Sequence, residues 1–169
     1  MNFKEHAKIT RQTWHTKDVS KERRQKHAVL GLIDELGEIA SCLKKEIGYG
    51  KELDKTNMKE EIGDFIYFSH RKNEEYGWNQ DFDKLIKNCE PKEKDPFIII
   101  SNLFSNVHYL CCAYSPYNTD NFTDVLENLI ELMNCYGFTI AEVLNANVNK
   151  LKARYGDKLE FTQESAYGS

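Results

Sequence analysis

The chain is poor in the residues that interrupt helices. It has three prolines and nine glycines among 169 residues, about 7% of the chain, whereas these two residues make up roughly 12% of average proteins. All three prolines lie between positions 91 and 116, so the long segments on either side lack the strongest helix breaker. The length corresponds to about one domain. We therefore expect a single all-α domain over residues 1–169.

Other absences exclude whole classes of protein. No apolar run approaches the ~18 residues that span a bilayer, and the N-terminus has no apolar signal segment. A net charge of −4 gives no basic footprint for nucleic acid. The five cysteines form an odd set without a C-x-x-C pair, which argues against a disulfide framework and a thiolate metal site. We predict a cytoplasmic protein that binds neither membrane nor nucleic acid.

Apolar spacing divides the chain into two helical halves. In the first half, Ser20 can cap a helix that ends near residue 47, and a second helix is predicted over about 56–76, so the two form an antiparallel pair. The positions expected in its core recur at spacings of three and four: Val29, Leu32, Ile33, Leu36, Ile39, Ala40 and Leu43, then Met58, Ile62, Phe65, Ile66 and Ser69.

The second half repeats this outline after a charged, proline-bounded loop at 88–96. Helices are predicted over about 97–114 and 122–136, and Thr139-Ile-Ala-Glu142 is a capping box that opens a final helix ending near residue 155. Tyr76-Gly-Trp78 also resembles Tyr136-Gly-Phe138, 60 residues later. We expect an antiparallel helical bundle with a diverged internal helix-pair repeat, its halves spanning about 20–78 and 97–155.

Two pairs of acidic residues are the main chemical feature. Glu35-Leu-Gly-Glu38 and Glu61-Ile-Gly-Asp64 each place two carboxylates three residues apart, on one face of each helix of the first pair. Four such charges beside an apolar seam repel one another unless a cation neutralises them. Oxygen ligands favour Mg²⁺, with Mn²⁺ also possible, over zinc. The sequence therefore predicts a magnesium site between the two helices.

The presence of a second acidic motif on the neighbouring helix makes this pattern more specific than a single motif would be. A single E-x-x-E is usually a solvated face, and Glu90-Pro-Lys-Glu93 has the same spacing in a loop that cannot align its carboxylates. Gly37 and Gly63 lie inside the two motifs, and because glycine weakens a helix, their presence indicates close helix approach. A di-iron carboxylate bundle requires E-x-x-H, which no glutamate here provides. A non-catalytic acidic helical interaction module remains the alternative.

The residues around these motifs resemble a known enzyme family. The segments 28–40 and 60–67, with Lys44 and Lys45 between them, are similar to the all-α nucleoside triphosphate pyrophosphatases, which comprise the MazG-like enzymes and the dimeric dUTPases. Their signature is E-x-x-E followed by E-x-x-D, separated here by 22 residues. Residues 143–155 resemble the closing helix of MazG-like proteins. The roughly sixty residues between E-x-x-D and this helix depart from the short members and look like the two-repeat layout of dimeric dUTPases.

The resemblance implies an Mg²⁺-dependent hydrolase that cleaves a nucleoside triphosphate between its α and β phosphates. It implies four metal ligands, of which Glu35 or Glu38 would be the catalytic base. Lys150 and Arg154 share one face of the last helix and would bind phosphate, although a solvated basic face is equally expected there. The metal ligands would be Glu35, Glu38, Glu61 and Asp64; the phosphate contacts Asn147, Lys150, Arg154 and Lys45; the base contacts Phe68, Trp14 and His27. Exposed apolar surface predicts a homodimer or a higher homo-oligomer.

Overall fold

The computed structural model describes residues 1–15, 17–112 and 120–159, apart from the side chains of Asn88, Asp120 and Asn121. Within these ranges the regular structure is entirely helical and contains no strand, which confirms the all-α prediction. The helices are α1 (Phe3–Thr10), α2 (Lys21–Leu43), α3 (Lys55–Glu75), α4 (Phe82–Leu85), α5 (Pro96–Cys112), α6 (Asp120–Tyr136) and α7 (Ile140–Tyr155). A π-helical turn, Lys44–Gly48, prolongs α2, and 3-10 turns cover Arg11–Thr13 and Ile86–Asn88.

Three of the predicted helix starts, those of α2, α3 and α7, are confirmed by their caps. The Ser20 side chain accepts a hydrogen bond from the Arg23 backbone N–H at 3.3 Å. The capping box of Thr139 and Glu142 is present in full at the start of α7. Asp54 caps α3 in the same way. The end predicted for the first helix of the second half, residue 114, and the loop around Pro116 lie outside the described residues.

The helices pack as two pairs with α3 at the centre. α2 packs along α3, α5 packs along α6, and α7 packs along the opposite side of α3, with α1 against α7. From Glu61 to Asn73 every residue of α3 is buried except Phe68, which is half-buried. A helix enclosed on all sides must bury its polar residues as well as its apolar ones. The second pair agrees with the predicted outline, while its origin by duplication stays a prediction.

The predicted core is largely confirmed, with one error in α2. Ile33 was expected inside, but it is 51% exposed. The buried residues of α2 run around the helix from Gly31 and Cys42 to Leu36, an arc of about 140° that ends well before Ile33. Glycine and cysteine contribute little to an apolar pattern, so the predicted arc was rotated towards the larger side chains.

Several large apolar side chains of α2, α5 and the turn after α2 are exposed: Leu30, Ile33, Ile47, Tyr49, Phe97, Ile98, Phe104 and Tyr109. This distribution agrees with the reasoning behind self-association, and the oligomeric state itself stays a prediction. None of the helices in the described ranges is long and apolar enough to cross a membrane.

The two glycines predicted to allow close approach of α2 and α3 behave differently. A Cβ on Gly63 would lie 2.6 Å from the Cβ of Asn147 and 3.0 Å from the Val143 carbonyl oxygen, so this glycine lets α3 approach α7. Gly37 has open space around it, and the prediction for that residue was wrong. In α2 the crowded glycine is Gly31, where a Cβ would come within 2.2 Å of the Phe68 ring.

This difference gives a test with a built-in control. Gly63→Ala should lower the free energy of unfolding by about 1–3 kcal/mol, because α7 must move away from α3 to admit the methyl group. Gly37→Ala should instead raise it by up to about 1 kcal/mol, because alanine favours the helix and meets nothing. Urea unfolding followed by circular dichroism measures both. Equal effects of the two substitutions would contradict the packing of α3 on α7.

Candidate functional site

A cleft of about 530 Å³ opens between α2, α3, α7 and the chain that follows α1. One end is acidic, the other is aromatic, and the basic side chains of α7 lie along it. The residues that line it are Thr13, Trp14, His15, His27, Asp34, Glu35, Glu38, Glu61, Asp64, Tyr67, Phe68, Lys150, Leu151, Arg154 and Tyr155.

Three of the four predicted carboxylates come together at the acidic end. Glu35 of α2 and Glu61 and Asp64 of α3 each offer a ligand atom, and these atoms lie within 4.8 Å of one another. Glu61 and Asp64 are buried, at 7% and 9% exposure. Glu38 lines the same cleft but is exposed and lies outside this cluster.

Helix geometry explains why Glu35 and Glu38 differ. Relative to Leu32, which is fully buried, Glu35 lies about 60° around α2 and Glu38 about 120° around in the same direction. The buried arc of α2 extends about 100° that way, to Gly31. Glu35 is therefore held inside the contact between α2 and α3, whereas Glu38 emerges at its edge.

Lys150 supplies the nearest positive charge to the cluster. Its Nζ lies 2.5 Å from Asp64 Oδ2 and 3.4 Å from Glu61 Oε2. The other oxygen of Asp64, Oδ1, accepts a hydrogen bond from the side-chain amide of Asn147, which is fully buried. Both polar residues come from α7, and the contact of α7 with Gly63 keeps them close to α3.

Electrostatics in the cluster oppose ionisation of all three acids. Burial, reinforced by the charges of Asp64 and Glu61, raises the pKa of Glu35 to about 8. Burial also raises the pKa values of Glu61 and Asp64, although Lys150 acts in the opposite direction. Burial disfavours the charged form of Lys150, but the hydrogen bond to Asp64 and the charges of Asp64 and Glu61 outweigh it and raise the pKa of that ammonium. One lysine therefore leaves the cluster short of positive charge.

Aromatic rings form the other end of the cleft. The rings of Trp14 and His27 are stacked, with centroids 4.7 Å apart and an angle of 16°. Phe68 meets both rings edge-on. The indole Nε1–H of Trp14 donates to Glu75 at 2.8 Å, which fixes the ring to α3. The three residues predicted to contact a base thus form one cluster in the same cleft as the carboxylates.

Only two of the four residues predicted to contact phosphate line the cleft. Lys150 and Arg154 line the cleft together. Asn147 lies beneath it with no exposed surface, so it holds Asp64 rather than a ligand in the cleft. Lys45 is exposed in the π-helical turn and does not line the cleft. It follows Glu38 by seven residues, about 10 Å further along the helix.

Sequence reasoning missed part of the cleft wall and its support. Tyr67 is buried, its hydroxyl accepts a hydrogen bond from Thr13 at 3.2 Å, and it packs edge-on against Trp14. His6 of α1 contacts Asn147 from below. Tyr67 follows Asp64 by three residues on α3, so spacing could have found it. Nothing in the local sequence indicates that His6 reaches α7.

Comparisons with protein families, curated proteins and solved structures find no match to this chain. What the site does is therefore argued from its own geometry. Three converging oxygen ligands, two of them buried, could hold a divalent cation that prefers carboxylates. Basic side chains and aromatic rings in the same cleft could bind a phosphorylated molecule that carries a planar group.

The raised pKa of Glu35 gives a pH-dependent prediction. A carboxyl whose pKa rises to about 8 on folding favours the folded state below the pKa of the unfolded chain, and that contribution is lost as the pH rises towards the folded value. Glu35→Gln should therefore stabilise the metal-free protein at pH 8 relative to the unsubstituted chain, and much less at pH 5. Urea midpoints at the two pH values, in the presence of a chelator, measure this difference. A constant difference would contradict the crowding of the acids.

Proposed function

We propose that this chain is an Mg²⁺-dependent nucleoside triphosphate pyrophosphohydrolase, a hydrolase acting on acid anhydrides. It would convert a nucleoside or deoxynucleoside triphosphate and water to the monophosphate and pyrophosphate by breaking the α–β bridging bond. The observation that supports this most is the cleft itself, which is lined by converging carboxylates, by aromatic rings and by two basic side chains. These are the kinds of group that a metal-bound nucleotide would contact.

The acidic end fits a magnesium ion. Glu35, Glu61 and Asp64 offer only oxygen ligands, and like charges held together in a buried place need more positive charge than Lys150 gives. Mn²⁺ would fit the same ligands. When bound, such an ion would neutralise the charge that develops on the phosphate oxygens and would lower the pKa of a bound water molecule.

Glu38 is suited to a different role from the other three acids. It lines the cleft but is exposed and stands apart from the clustered ligand atoms, so its carboxylate is available to accept a proton. We assign Glu38 as the general base that takes the proton of the attacking water. Glu35, the other candidate for this role from the sequence, would instead be a metal ligand.

The remaining residues would hold the substrate. Lys150 and Arg154 lie one turn apart on α7 and would bind the polyphosphate, the guanidinium by paired hydrogen bonds. Trp14, His27 and Phe68 would form the apolar contact to the base. Because each of these groups lines the same cleft as the carboxylates, one extended ligand can reach all of them.

The alternative from the sequence, an acidic helical interaction module, requires a solvated acidic face for a basic partner. Glu61 and Asp64 are mostly buried and are paired with a lysine of the same chain. An acidic surface of that kind is therefore limited to exposed residues such as Glu38. No contact within the described ranges favours this alternative.

Direct measurement of pyrophosphate release tests the proposed reaction. The purified protein with Mg²⁺ and a panel of nucleoside and deoxynucleoside triphosphates should release pyrophosphate from at least one of them. Glu61→Gln should lower kcat/KM by 10²-fold or more, on the order of 3 kcal/mol of transition-state stabilisation, because the metal loses a ligand. Glu38→Ala should also abolish turnover, with less effect on metal affinity.

Glu90→Gln is the matched control, since Glu90 has the same E-x-x-E spacing but is 78% exposed and lies outside the cleft. It should leave the rate unchanged. Orthophosphate as the sole phosphate product would contradict the proposed cleavage between the α and β phosphates. A protein that turns over none of the panel would support the interaction module.

Lys150 should compete with the metal for the carboxylates. Lys150→Met removes the ammonium from Glu61 and Asp64, so Mn²⁺ binding in the absence of nucleotide should become several-fold tighter, as measured by calorimetry. The same substitution should raise KM for the nucleotide, because a phosphate contact is lost. Weaker Mn²⁺ binding would show that Lys150 supports the ligands rather than taking the place of the cation.

A further inference from the structure

A chain of hydrogen bonds reaches the carboxylate cluster from beneath the cleft. His6 of α1 is completely buried, and its Nε2 lies 2.8 Å from Oδ1 of Asn147 on α7. The amide Nδ2 of Asn147 donates to Oδ1 of Asp64 on α3. Oδ2 of Asp64 is left to face Lys150 and the cleft. Three helices are thus connected through side chains to one oxygen of one proposed metal ligand.

The chemistry of the end group fixes the direction of every bond in this chain. Asp64 pairs with the Lys150 ammonium and is a proposed metal ligand, so we take it as ionised. An ionised carboxylate only accepts hydrogen bonds, so the NH₂ group of Asn147 must face Asp64 and its carbonyl oxygen must face His6. His6 must then donate, which places its proton on Nε2. Burial, acting against the hydrogen bond that His6 donates to Asn147, lowers the pKa of His6 to about 4, so the imidazole is neutral at physiological pH.

The surroundings of His6 leave it no other polar role. Its Nδ1 is buried and has no hydrogen-bond partner in the described part of the chain. The nearest titratable and charged groups are His70, whose ring centroid lies 5.5 Å away, and Arg71, whose charge further disfavours protonation of His6. Arg71 donates to the Ala7 carbonyl on α1 rather than to His6. The contact with Asn147 is therefore the one that orients the imidazole.

We propose that His6 is a positioning residue for the metal site: it fixes the side-chain amide of Asn147, and Asn147 in turn fixes the carboxylate of Asp64 with Oδ2 towards the cleft. This inference rests on the proposed function in that it takes Asp64 to be a metal ligand. The backbone of Asn147 is already held against Gly63, so rotation of its amide is the freedom that remains. Without His6 the amide can turn by half a revolution and present its oxygen to the carboxylate, which repels it.

The size of the effect follows from the behaviour of metal sites. Removing a group that orients a ligand typically costs 10–100-fold in metal affinity or activity. His6→Leu keeps an apolar side chain of comparable bulk but removes the donor, so we expect at least tenfold weaker Mn²⁺ binding. His6→Gln carries an amide N–H at a similar distance from the backbone and should restore most of the affinity.

Calorimetric titration with Mn²⁺, without nucleotide, separates positioning from packing. Phe3→Leu is the matched control, because Phe3 is as buried in α1 as His6 but packs its ring on His70 and Phe82 and has no group that could donate to Asn147. It should destabilise the fold without weakening Mn²⁺ binding. Combining His6→Leu with Asn147→Ala should weaken binding no further than Asn147→Ala alone. Additive losses, or unchanged affinity in His6→Leu, would overturn the proposal.

Nitrogen NMR of the imidazole ring tests the same chain in the unsubstituted protein, in case His6→Leu fails to fold. His6 should be the neutral Nε2–H tautomer, with its proton protected from exchange at pH 7. The Nδ1–H tautomer would overturn the proposal. The two hypotheses fail separately: an absence of Mn²⁺ binding by the unsubstituted chain contradicts the proposed function, and the tautomer still decides whether His6 donates to Asn147.

Discussion

The candidate site depends on the burial of acidic side chains on α3, whose residues 61–73 are buried except for Phe68. α3 lies between α2 and α7, so Glu61 and Asp64 have little access to water and to the screening it provides. Glu35 enters the same space from α2, and the crowding raises its pKa to about 8. A fold without a ligand gains nothing from this arrangement, because separated carboxylates on the surface would be more stable. This crowding is the physical reason for proposing that the cluster binds a cation.

Side chains of α7 contact the carboxylate cluster from two sides. α7 carries Lys150 towards the carboxylates from the cleft side and Asn147 from the buried side, so the two oxygens of Asp64 have different surroundings. Gly63 makes this possible, since a larger residue would push α7 away. On α3, Phe68 lies one turn after Asp64 and occupies the space left by the absent side chain of Gly31 on α2. The close helix contacts at Gly63 and Gly31 therefore also position the side chains of the candidate site.

Local pattern predicted helices and caps well because capping and amphipathic spacing act within a few residues. Local pattern failed where a prediction depended on how each helix is rotated about its axis relative to its neighbours. The two motifs were read as four equivalent carboxylates, but the buried arc of α2 includes Glu35 and excludes Glu38. Gly37 and Gly63 occupy the same place in their motifs, yet one faces open space and the other faces α7. These differences arise from neighbours distant in sequence.

The sequence by itself determined the helical class, the helix starts at Ser20 and Thr139, and the presence of two acidic pairs on neighbouring helices, because each follows from residues within one or two turns. Tertiary structure alone decided which three carboxylates meet, that Lys150 and Asn147 approach Asp64, and that His6 supports Asn147 across 141 positions of the chain. Side chains on separate helices meet only when packing has fixed the rotation and separation of those helices, and packing is a property of the whole core.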